Sequence, residues 1–440
     1  MKRFILFLSI LTAFPLCSIA QKEFLLPTLD SAFAYADKNS SVSKTGAEQV
    51  ILARYQKLAA TVNILNIRNP VTFNLTNNTQ LPVSFIPSNL LGGPPGSYKQ
   101  ITLGQEYVSN FNFSPQIDVI NISAWSRVRT ANLNEEFTAE NNQLNKKNLF
   151  ESIAACWYNI LSLQEQIDIT HKNVQATDTL LTIVSNKYSQ GLVRHQDVND
   201  ATANKVSLED KEQQLILSLD QQANNLKILC DIPIAEKVVL GGKLNYMPSL
   251  NAAPTVSSQL LFKASVLQTE LAKADLRTNR LMNLPVVSIL YSNSTYQNSN
   301  DKFFDDNPHT QWLNSIFFGA KATWNLPDVN QIVLARNARI NYEIAKISME
   351  HSKIQNDGTN AQLLSDYEKA VSQLNSFKQV WLLKEENYRM AREQYNQDVL
   401  PFDKLLLAFT DMEGTRLSYS SALANLLYLK TRIDISNKIN

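Results

Sequence analysis

The chain has 440 residues, and its 41 basic residues nearly balance its 40 acidic ones, which leaves a net charge of +1. That balance gives no bulk attraction for a polyanion, so a nucleic-acid partner is not expected. Three cysteines in so long a chain exclude a disulfide scaffold. The four histidines show no metal-ligand spacing, and the sequence lacks a phosphate-binding loop, a nucleophile elbow and a zincin motif. We therefore expect no enzyme, no cofactor and no metal site.

Residues 1–20 have the three parts of a secretory signal peptide. Lys2 and Arg3 form the charged start, an apolar run follows, and Ser18-Ile19-Ala20 precedes the cleavage point. Lipoprotein processing would use Cys17, but Phe14-Pro15-Leu16 before it lacks the small residue that such processing needs. We expect an exported chain without a lipid anchor. No later apolar run reaches about 18 residues, so no membrane-spanning helix is expected.

The first of two predicted repeats covers residues 21–252. It begins with a helix at 28–68, which the Asn69-Pro70 step ends. Apolar and polar residues then alternate with the period of a β-strand at about 70–87 and again at about 105–122. A strand in a soluble sheet has typically about 5 to 6 residues, so strands of this length favour a transmembrane barrel.

The two faces of these predicted strands differ in polarity. Phe73 and Phe113 belong to the apolar face, which contacts lipid in a barrel. The other face points into the lumen of a barrel, and in this chain it carries Thr72, Asn74 and Asn112.

A long helical hairpin is predicted at 123–232. From Leu149 to Tyr188 apolar residues recur every 3.5 residues, with only two threonines out of pattern, which is the spacing of a coiled-coil seam. Gly191 then marks a tight reversal, because glycine readily takes the left-handed conformation that ends a helix. The seam resumes from Val198, which predicts a second helix that returns along the first.

The second repeat, residues 253–440, copies the first: a shift of 207 positions carries one seam onto the other without a gap. A helix is predicted at 255–283, strands at about 285–297 and 311–326, and a helical hairpin at 328–437. In the last strand Trp312 and Trp324 are 12 residues apart, a spacing that suits aromatic belts at two membrane surfaces. Lys321 lies on the opposite, lumenal face.

The sequence therefore predicts an α+β membrane protein with an internal two-fold repeat and four strands per chain. Four strands cannot close, and an open sheet edge cannot exist in lipid. The barrel must be shared between chains, with 8 strands from two chains or 12 from three. The helical segments are too long for the inside of a barrel, since about 1.5 Å per residue gives roughly 100 Å for residues 123–190. They are expected to project from the membrane.

This order of elements resembles the TolC family of outer-membrane efflux and secretion channels over roughly residues 25–435. The local signatures are Tyr188-Ser-Gln-Gly191-Leu192-Val193 with its repeat Tyr395-Asn-Gln-Asp398-Val399-Leu400, the opening segment from Leu29-Asp30-Ser31-Ala32 to Asn39-Ser40, and the helix-ending Pro70 and Pro285. The resemblance implies a homotrimer with a 12-stranded barrel in the outer membrane and a helical coiled-coil barrel in the periplasm. It also implies a passive exit duct for small molecules or proteins in a tripartite efflux pump or type I secretion system. The implied partners are a periplasmic adaptor (membrane fusion protein), an inner-membrane transporter and outer-membrane lipid.

The resemblance also implies that the two helix reversals form a periplasmic gate. The residues that it places there are Tyr188, Gly191, Leu192, Asp197, Asp200, Tyr395, Asp398, Val399, Asp403 and Lys404. In the family the second reversal often carries carboxylates nine and twelve residues after its tyrosine, where this chain has Lys404 and Leu407. The first reversal has Asp197 and Asp200 at the matching offsets. An acidic ring and a simple helix-start charge that favours the helix dipole are both open readings of these two aspartates.

Two further functions compete with the export duct. One is a structural coiled-coil envelope protein that spans the periplasm as a spacer, and the other is a soluble periplasmic adaptor. An adaptor has one helical hairpin per chain and no paired long strands. The polar strand faces favour the duct over the spacer, because a solid spacer needs no wetted lumen.

Overall fold

A computed structural model describes residues 23–244, 255–324, 326 and 329–439. Three parts of the prediction lie outside the described residues: the signal peptide with Cys17, the boundary between the repeats at residues 252 and 253, and residue 328 at the start of the second hairpin. The helices are α1 Leu29–Asn39, α2 Ser41–Val62, α3 Ile122–Ser189, α4 His195–Cys230, α5 Leu260–Leu281, α6 Val329–Asn396 and α7 Phe402–Lys438. The strands are β1 Glu23–Leu26, β2 Val71–Asn77, β3 Val83–Pro87, β4 Tyr98–Thr102, β5 Tyr107–Phe113, β6 Gln116–Ile120, β7 Lys237–Leu240, β8 Val286–Ser299 and β9 Leu313–Thr323.

The fold is α+β and mostly helical, and the chain separates into two compact units. Unit 1 comprises Met1–Glu48, Glu140–Lys263 and Ser352–Asn440. Unit 2 comprises Gln49–Ala139 and Ala264–His351. Each unit therefore takes segments from both halves of the sequence. Among the described residues, no helix combines the length and the apolar character needed to cross a membrane.

Unit 2 contains an antiparallel sheet of four rows. β2 pairs with β5, β5 and β6 both pair with β8, and β9 pairs with the other side of β8. β5 and β6 form one row because Phe113 faces Asn293 and Gln116 faces Leu290 in a single register. Pro115 interrupts the row, since it has no N–H to donate, but its carbonyl still accepts from Tyr291 N–H at 3.0 Å.

The first predicted strand was too long. The chain leaves the sheet after β2, and residues 83–87 form a separate hairpin with β4 instead of continuing to residue 87. Asn78 closes the end of the β2–β5 pair, because its N–H donates to Glu106 O at 2.7 Å and its Nδ2 donates to Gln105 O at 3.0 Å. Pro82 follows, and it cannot donate to a ladder. The alternating residues from Val83 onward therefore belong to the separate two-stranded sheet of β3 and β4.

The last two predicted strands also differ in extent from their observed counterparts. The strand predicted at about 285–297 is β8, which has 14 residues, ends at Ser299 and pairs with the rows on both of its sides. β9 ends at Thr323, inside the range of 311–326 that was predicted for it.

The predicted opening helix at 28–68 is two helices. Ser40 between them is extended, with ψ 144, and α2 ends at Val62. The carboxylate of Asp231 accepts hydrogen bonds from the backbone N–H and the hydroxyl of Ser41, so it caps the start of α2. This partner lies 190 positions away in sequence, and Ser40 adds a local cap, because its hydroxyl oxygen accepts from Ser43 N–H at 3.2 Å.

Unit 1 has a core of long helices. The predicted seam residues Ile153 and Ile160 are buried together with Trp157, and Leu226 of α4 belongs to the same cluster. The sequence did not predict the parallel pairing of β1 with β7, because each strand has only four residues and the partners are far apart in sequence.

The two longest helices, α3 and α6, have 68 residues each, which corresponds to roughly 100 Å of helix. Their first residues, Ile122 and Val329, are 207 positions apart, as are their last, Ser189 and Asn396.

Candidate functional site

One face of the sheet in unit 2 carries a ladder of small polar side chains, and Phe317 of β9 also lies on this face, opposite Ser292. Thr72 faces Asn112 and Asn74 faces Asn110 across the β2–β5 pair. The ladder continues onto β8, where Ser292 Oγ donates to Asn112 Oδ1 at 3.1 Å and Ser294 Oγ donates to Asn110 Oδ1 at 2.8 Å. Directly opposed residues in an antiparallel sheet point to the same side, so these side chains share a face.

Lys321 lies on that same face. It faces Ser288 across the β8–β9 pair, and Ser288 faces Asp118 across the β6–β8 pair. The register therefore brings the four residues that were predicted to line a lumen, Thr72, Asn74, Asn112 and Lys321, onto one side of the sheet.

Asp118 anchors the end of this ladder, and it was not among the residues predicted from the sequence. Its carboxylate is only 2% exposed. It accepts from Asn66 Nδ2 at 2.6 Å, from Ser288 Oγ at 2.7 Å and from Arg68 Nη2 at 3.1 Å. These contacts compensate the cost of burying the charge. The sequence did contain a signal that could have identified Asp118, because it is a single acidic residue on the polar face of a predicted strand.

The opposite face of the sheet exposes large apolar side chains, and it also carries Asn293 and Thr295 of β8 opposite Phe113 and Phe111. Its largest exposed side chains are Val71, Phe73, Leu75, Phe111, Phe113, Ile316 and Phe318. Phe73 and Phe111 stack with their ring centroids 4.4 Å apart, and Trp312 lies 6.0 Å from Phe111. A monomeric soluble protein rarely exposes an apolar patch of this extent, so the face is expected to meet another apolar surface.

Two rows of the sheet have an unpaired edge among the described strands. β2 pairs only with β5, and β9 pairs only with β8. An exposed strand edge carries a row of unpaired N–H and C=O groups that can pair with another chain.

The two predicted helix reversals lie in unit 1 and have the same backbone geometry. At the first, Gly191 N–H donates to Tyr188 O and Leu192 N–H donates to Lys187 O, both at 2.9 Å. At the second, Asp398 N–H donates to Tyr395 O at 3.1 Å and Val399 N–H donates to Gln394 O at 2.9 Å. This pair of bonds is the Schellman motif, whose key residue must take a positive φ. Gly191 has φ 74 and Asp398 has φ 58, so the aspartate takes the conformation expected of the glycine.

Lys187 joins the two reversals, and it was not among the residues predicted from the sequence. Its ammonium donates to Tyr395 O at 3.1 Å, pairs with the carboxylate of Asp398, and lies 4.3 Å from the centre of the Tyr395 ring. The Tyr395 side chain is buried, and burial raises the pKa of its hydroxyl, with smaller contributions from the charges of Asp197 and Asp398. Tyr188 differs, because it is exposed and contacts only the edge of His195 among the described aromatic rings.

The aspartates at the start of α4 are not equivalent. Asp197 is buried, and its carboxylate accepts from the Arg194 backbone N–H at 3.0 Å and from the Arg194 guanidinium at 3.2 Å. This arrangement is that of a helix-start cap. Asp200 is half-buried. At the second reversal Val399, Asp403 and Lys404 are exposed, as is Leu192 at the first.

No group of three or more His, Cys, Asp or Glu side chains among the described residues is arranged to hold a metal ion. Of the cysteines in the described part of the chain, Cys230 is buried, and this raises the pKa of its thiol to about 12. A thiol with so high a pKa is a poor nucleophile.

The sequence matches a family model described as outer membrane efflux protein over residues 88–230. No curated protein matches the sequence closely enough to count as a relative. The family match covers β4 to β6 and the whole α3–α4 hairpin.

Solved structures of outer-membrane channels have the same fold along nearly the whole chain. VceC of Vibrio cholerae is 14% identical, with a TM-score of 0.74, 93% of this chain covered and 95% of that one. The channel OprN is 14% identical, with a TM-score of 0.76 and coverages of 95% and 92%. CmeC of Campylobacter jejuni is 12% identical, with a TM-score of 0.73 and coverages of 93% and 85%. The family match and the shared fold confirm the resemblance inferred from the sequence, and they agree with a location in the outer membrane.

Proposed function

We propose that three copies of this chain form an outer-membrane duct that serves as the passive exit of a tripartite efflux pump or a type I secretion system. The sheet carries this proposal: it has an apolar face, a polar face and two unpaired edges. A sheet of this kind is stable in lipid only if its edges are paired in a closed barrel. Pairing β2 of one copy with β9 of the next closes such a barrel, and three copies supply 12 strands.

In this arrangement the apolar face contacts lipid, and the ladder with Asn112 and Lys321 lines the lumen. The long hairpins α3–α4 and α6–α7 form the periplasmic tunnel, and the reversals at Gly191 and Asp398 form its gate. The similarity of α3 and α6 in length and position supports the internal repeat. Energy and cargo selection come from an inner-membrane transporter, which a periplasmic adaptor joins to the duct.

The mass and the conductance of the purified protein test this proposal. Light scattering in mild detergent is expected to give three times the mass of the mature chain, and planar bilayers are expected to show single-channel conductance. A stable monomer contradicts the shared barrel. A trimer without conductance supports the competing function, a structural spacer that spans the periplasm.

Gate residues are tested by changing charge at the second reversal. Lys404 is exposed and makes no ion pair with any described residue. In a closed gate Lys404 can pair with a carboxylate of a neighbouring tip, and Lys404→Glu replaces this attraction with like-charge repulsion around the axis, which is expected to increase the conductance. Unchanged conductance with a normal yield of trimer places Lys404 outside the constriction.

A further inference from the structure

We propose that a groove between α5 and α6 in unit 2 binds the headgroup of an anionic phospholipid in the periplasmic leaflet of the outer membrane. The groove has a volume of about 810 Å³, which is within the range of small-ligand sites. Arg280 comes from the last turn of α5, and Arg336 and Arg339 come from the first turns of α6. The inference rests on the proposed function, because that function places the sheet in the membrane.

The groove has a surplus of positive charge. Three arginines line it, and Glu343 is the one acidic residue among the described residues that do so. All three guanidinium groups belong to exposed residues, and none forms an ion pair with another described residue. A planar guanidinium can donate two parallel hydrogen bonds to two oxygens of one phosphate group. A cluster of arginines without ion-pair partners is therefore suited to binding a phosphodiester.

The rest of the groove is largely apolar. Ile332, Ile340, Ile344 and Ile347 line it, and all four are exposed. Their spacing places them along one side of α6, because residues three, four and eight positions apart share a helix face. Ile332 precedes the arginines in α6 and lies on their sheet side, where the upper acyl chain of a bound lipid belongs, whereas the other three isoleucines follow the arginines and extend the apolar side of the groove away from the sheet.

The groove is continuous with the apolar face of the sheet. Trp324 follows β9 on the same side as Ile316 and Phe318, and it is exposed. Its indole N–H donates to Asn283 O at 3.0 Å, and Asn283 lines the groove next to Arg280. Tryptophan is enriched at the boundary between acyl chains and headgroups. The basic groove therefore begins where the lipid-facing side of the sheet ends, which favours a lipid over a soluble anion.

Lipid retention by the purified trimer tests the inference. The protein is reconstituted in vesicles of equal parts phosphatidylglycerol and phosphatidylcholine, re-extracted, and its bound lipid counted by native mass spectrometry. The wild type is expected to retain several-fold more phosphatidylglycerol than phosphatidylcholine. Arg336→Gln with Arg339→Gln is expected to abolish the preference. Arg389→Gln with Arg392→Gln removes the same charge near the other end of α6 and is expected to keep it.

Equal retention of the two lipids by the wild type overturns the inference, as does a preference that survives the Arg336 and Arg339 changes. Either result favours a second copy of the chain as the occupant of the groove. If the double variant fails to assemble, Arg280→Gln replaces it with the same expectation. Conductance of the same samples separates this inference from the proposed function: conducting trimers without lipid preference contradict the inference alone, and non-conducting trimers contradict the duct.

Discussion

At the residue scale, the two helix reversals depend on a left-handed backbone position that glycine fills in one case and aspartate in the other. Gly191 has φ 74, and a Cβ built on it meets nothing within 4 Å, so a substitution there is opposed by the backbone and not by packing. Asp398 takes the same conformation at a cost of about 1 to 2 kcal/mol relative to a right-handed residue.

Gly191→Ala is therefore expected to destabilise the first reversal by about 1 kcal/mol. Gly358→Ala is a matched control, because Gly358 is also open to solvent but lies inside α6. There alanine is expected to stabilise the helix by up to about 1 kcal/mol. Thermal unfolding of the two variants measures the difference, and changes of the same sign contradict the assigned role of Gly191.

Lys187 gives a second prediction at this scale. Its ion pair with Asp398 contributes little stability because the carboxylate is 70% exposed. The contact between the Lys187 ammonium and the Tyr395 ring contributes further stability to the second reversal. Lys187→Met is expected to loosen the second reversal by about 1 kcal/mol, which speeds amide hydrogen exchange at residues 394–399 about fivefold. Lys172→Met is the control, because Lys172 pairs only with Asp168 along its own helix among the described residues. Equal exchange in both variants contradicts a link between the reversals.

At the element scale, the two faces of the sheet make opposite predictions. Phe73→Arg or Phe113→Arg is expected to impair assembly, because a cation on the lipid face of a barrel costs about 2 to 4 kcal/mol near the bilayer midplane. Asn74→Arg or Asn112→Arg adds the same charge at the neighbouring positions and is expected to assemble with altered ion selectivity. The yield of trimer in detergent measures the difference. Equal yields from both pairs contradict the assignment of the faces.

The periodicity of apolar residues and the positions of glycine and proline predicted the long helices and the reversals. The alternation of polar and apolar residues predicted which strand residues share a face. Ile122 to Ser189 and His195 to Cys230 could be foreseen because their seam repeats over many turns. The exit of the chain from the sheet after β2 could not be predicted. The apolar residues that follow continue the alternation of β2, although β3 pairs with β4 and not with β5. The break at Ser40 was also not predicted: the Ser40 hydroxyl caps the next helix by accepting from Ser43 N–H, and the Asp231 carboxylate that adds to this cap comes from elsewhere in the chain.

The candidate site was foreseen to a similar degree. Alternation was sufficient to group Thr72, Asn74, Asn112 and Lys321, since parity alone decides the face of a strand. It could not identify Asp118 as the anchor of that face, because the partners Asn66, Arg68 and Ser288 come from separate segments. Lys187 was not predicted for the same reason. Its role depends on contacts with Tyr395 and Asp398, which lie more than 200 positions away in the sequence.

At the scale of the whole molecule, the central claim is that the polar face of the sheet lines a water-filled pore shared between copies. The claim joins the unpaired edges of β2 and β9 to the polar ladder on the rows between them. Neither observation alone distinguishes a duct from a spacer, because a structural barrel also needs closed edges. Water access to the polar face does distinguish them.

The most direct measurement is the conductance of single channels with one cysteine introduced on either face. A charged, water-soluble thiol reagent is expected to reduce the conductance of Asn112→Cys and to leave Phe113→Cys unchanged, because only the first thiol faces the lumen. The wild type is the baseline, since its Cys230 is buried and its Cys156 is half-buried. Loss of conductance with Asn112→Cys alone is the result that the account predicts. Insensitivity of Asn112→Cys, or equal block of both variants, would contradict it.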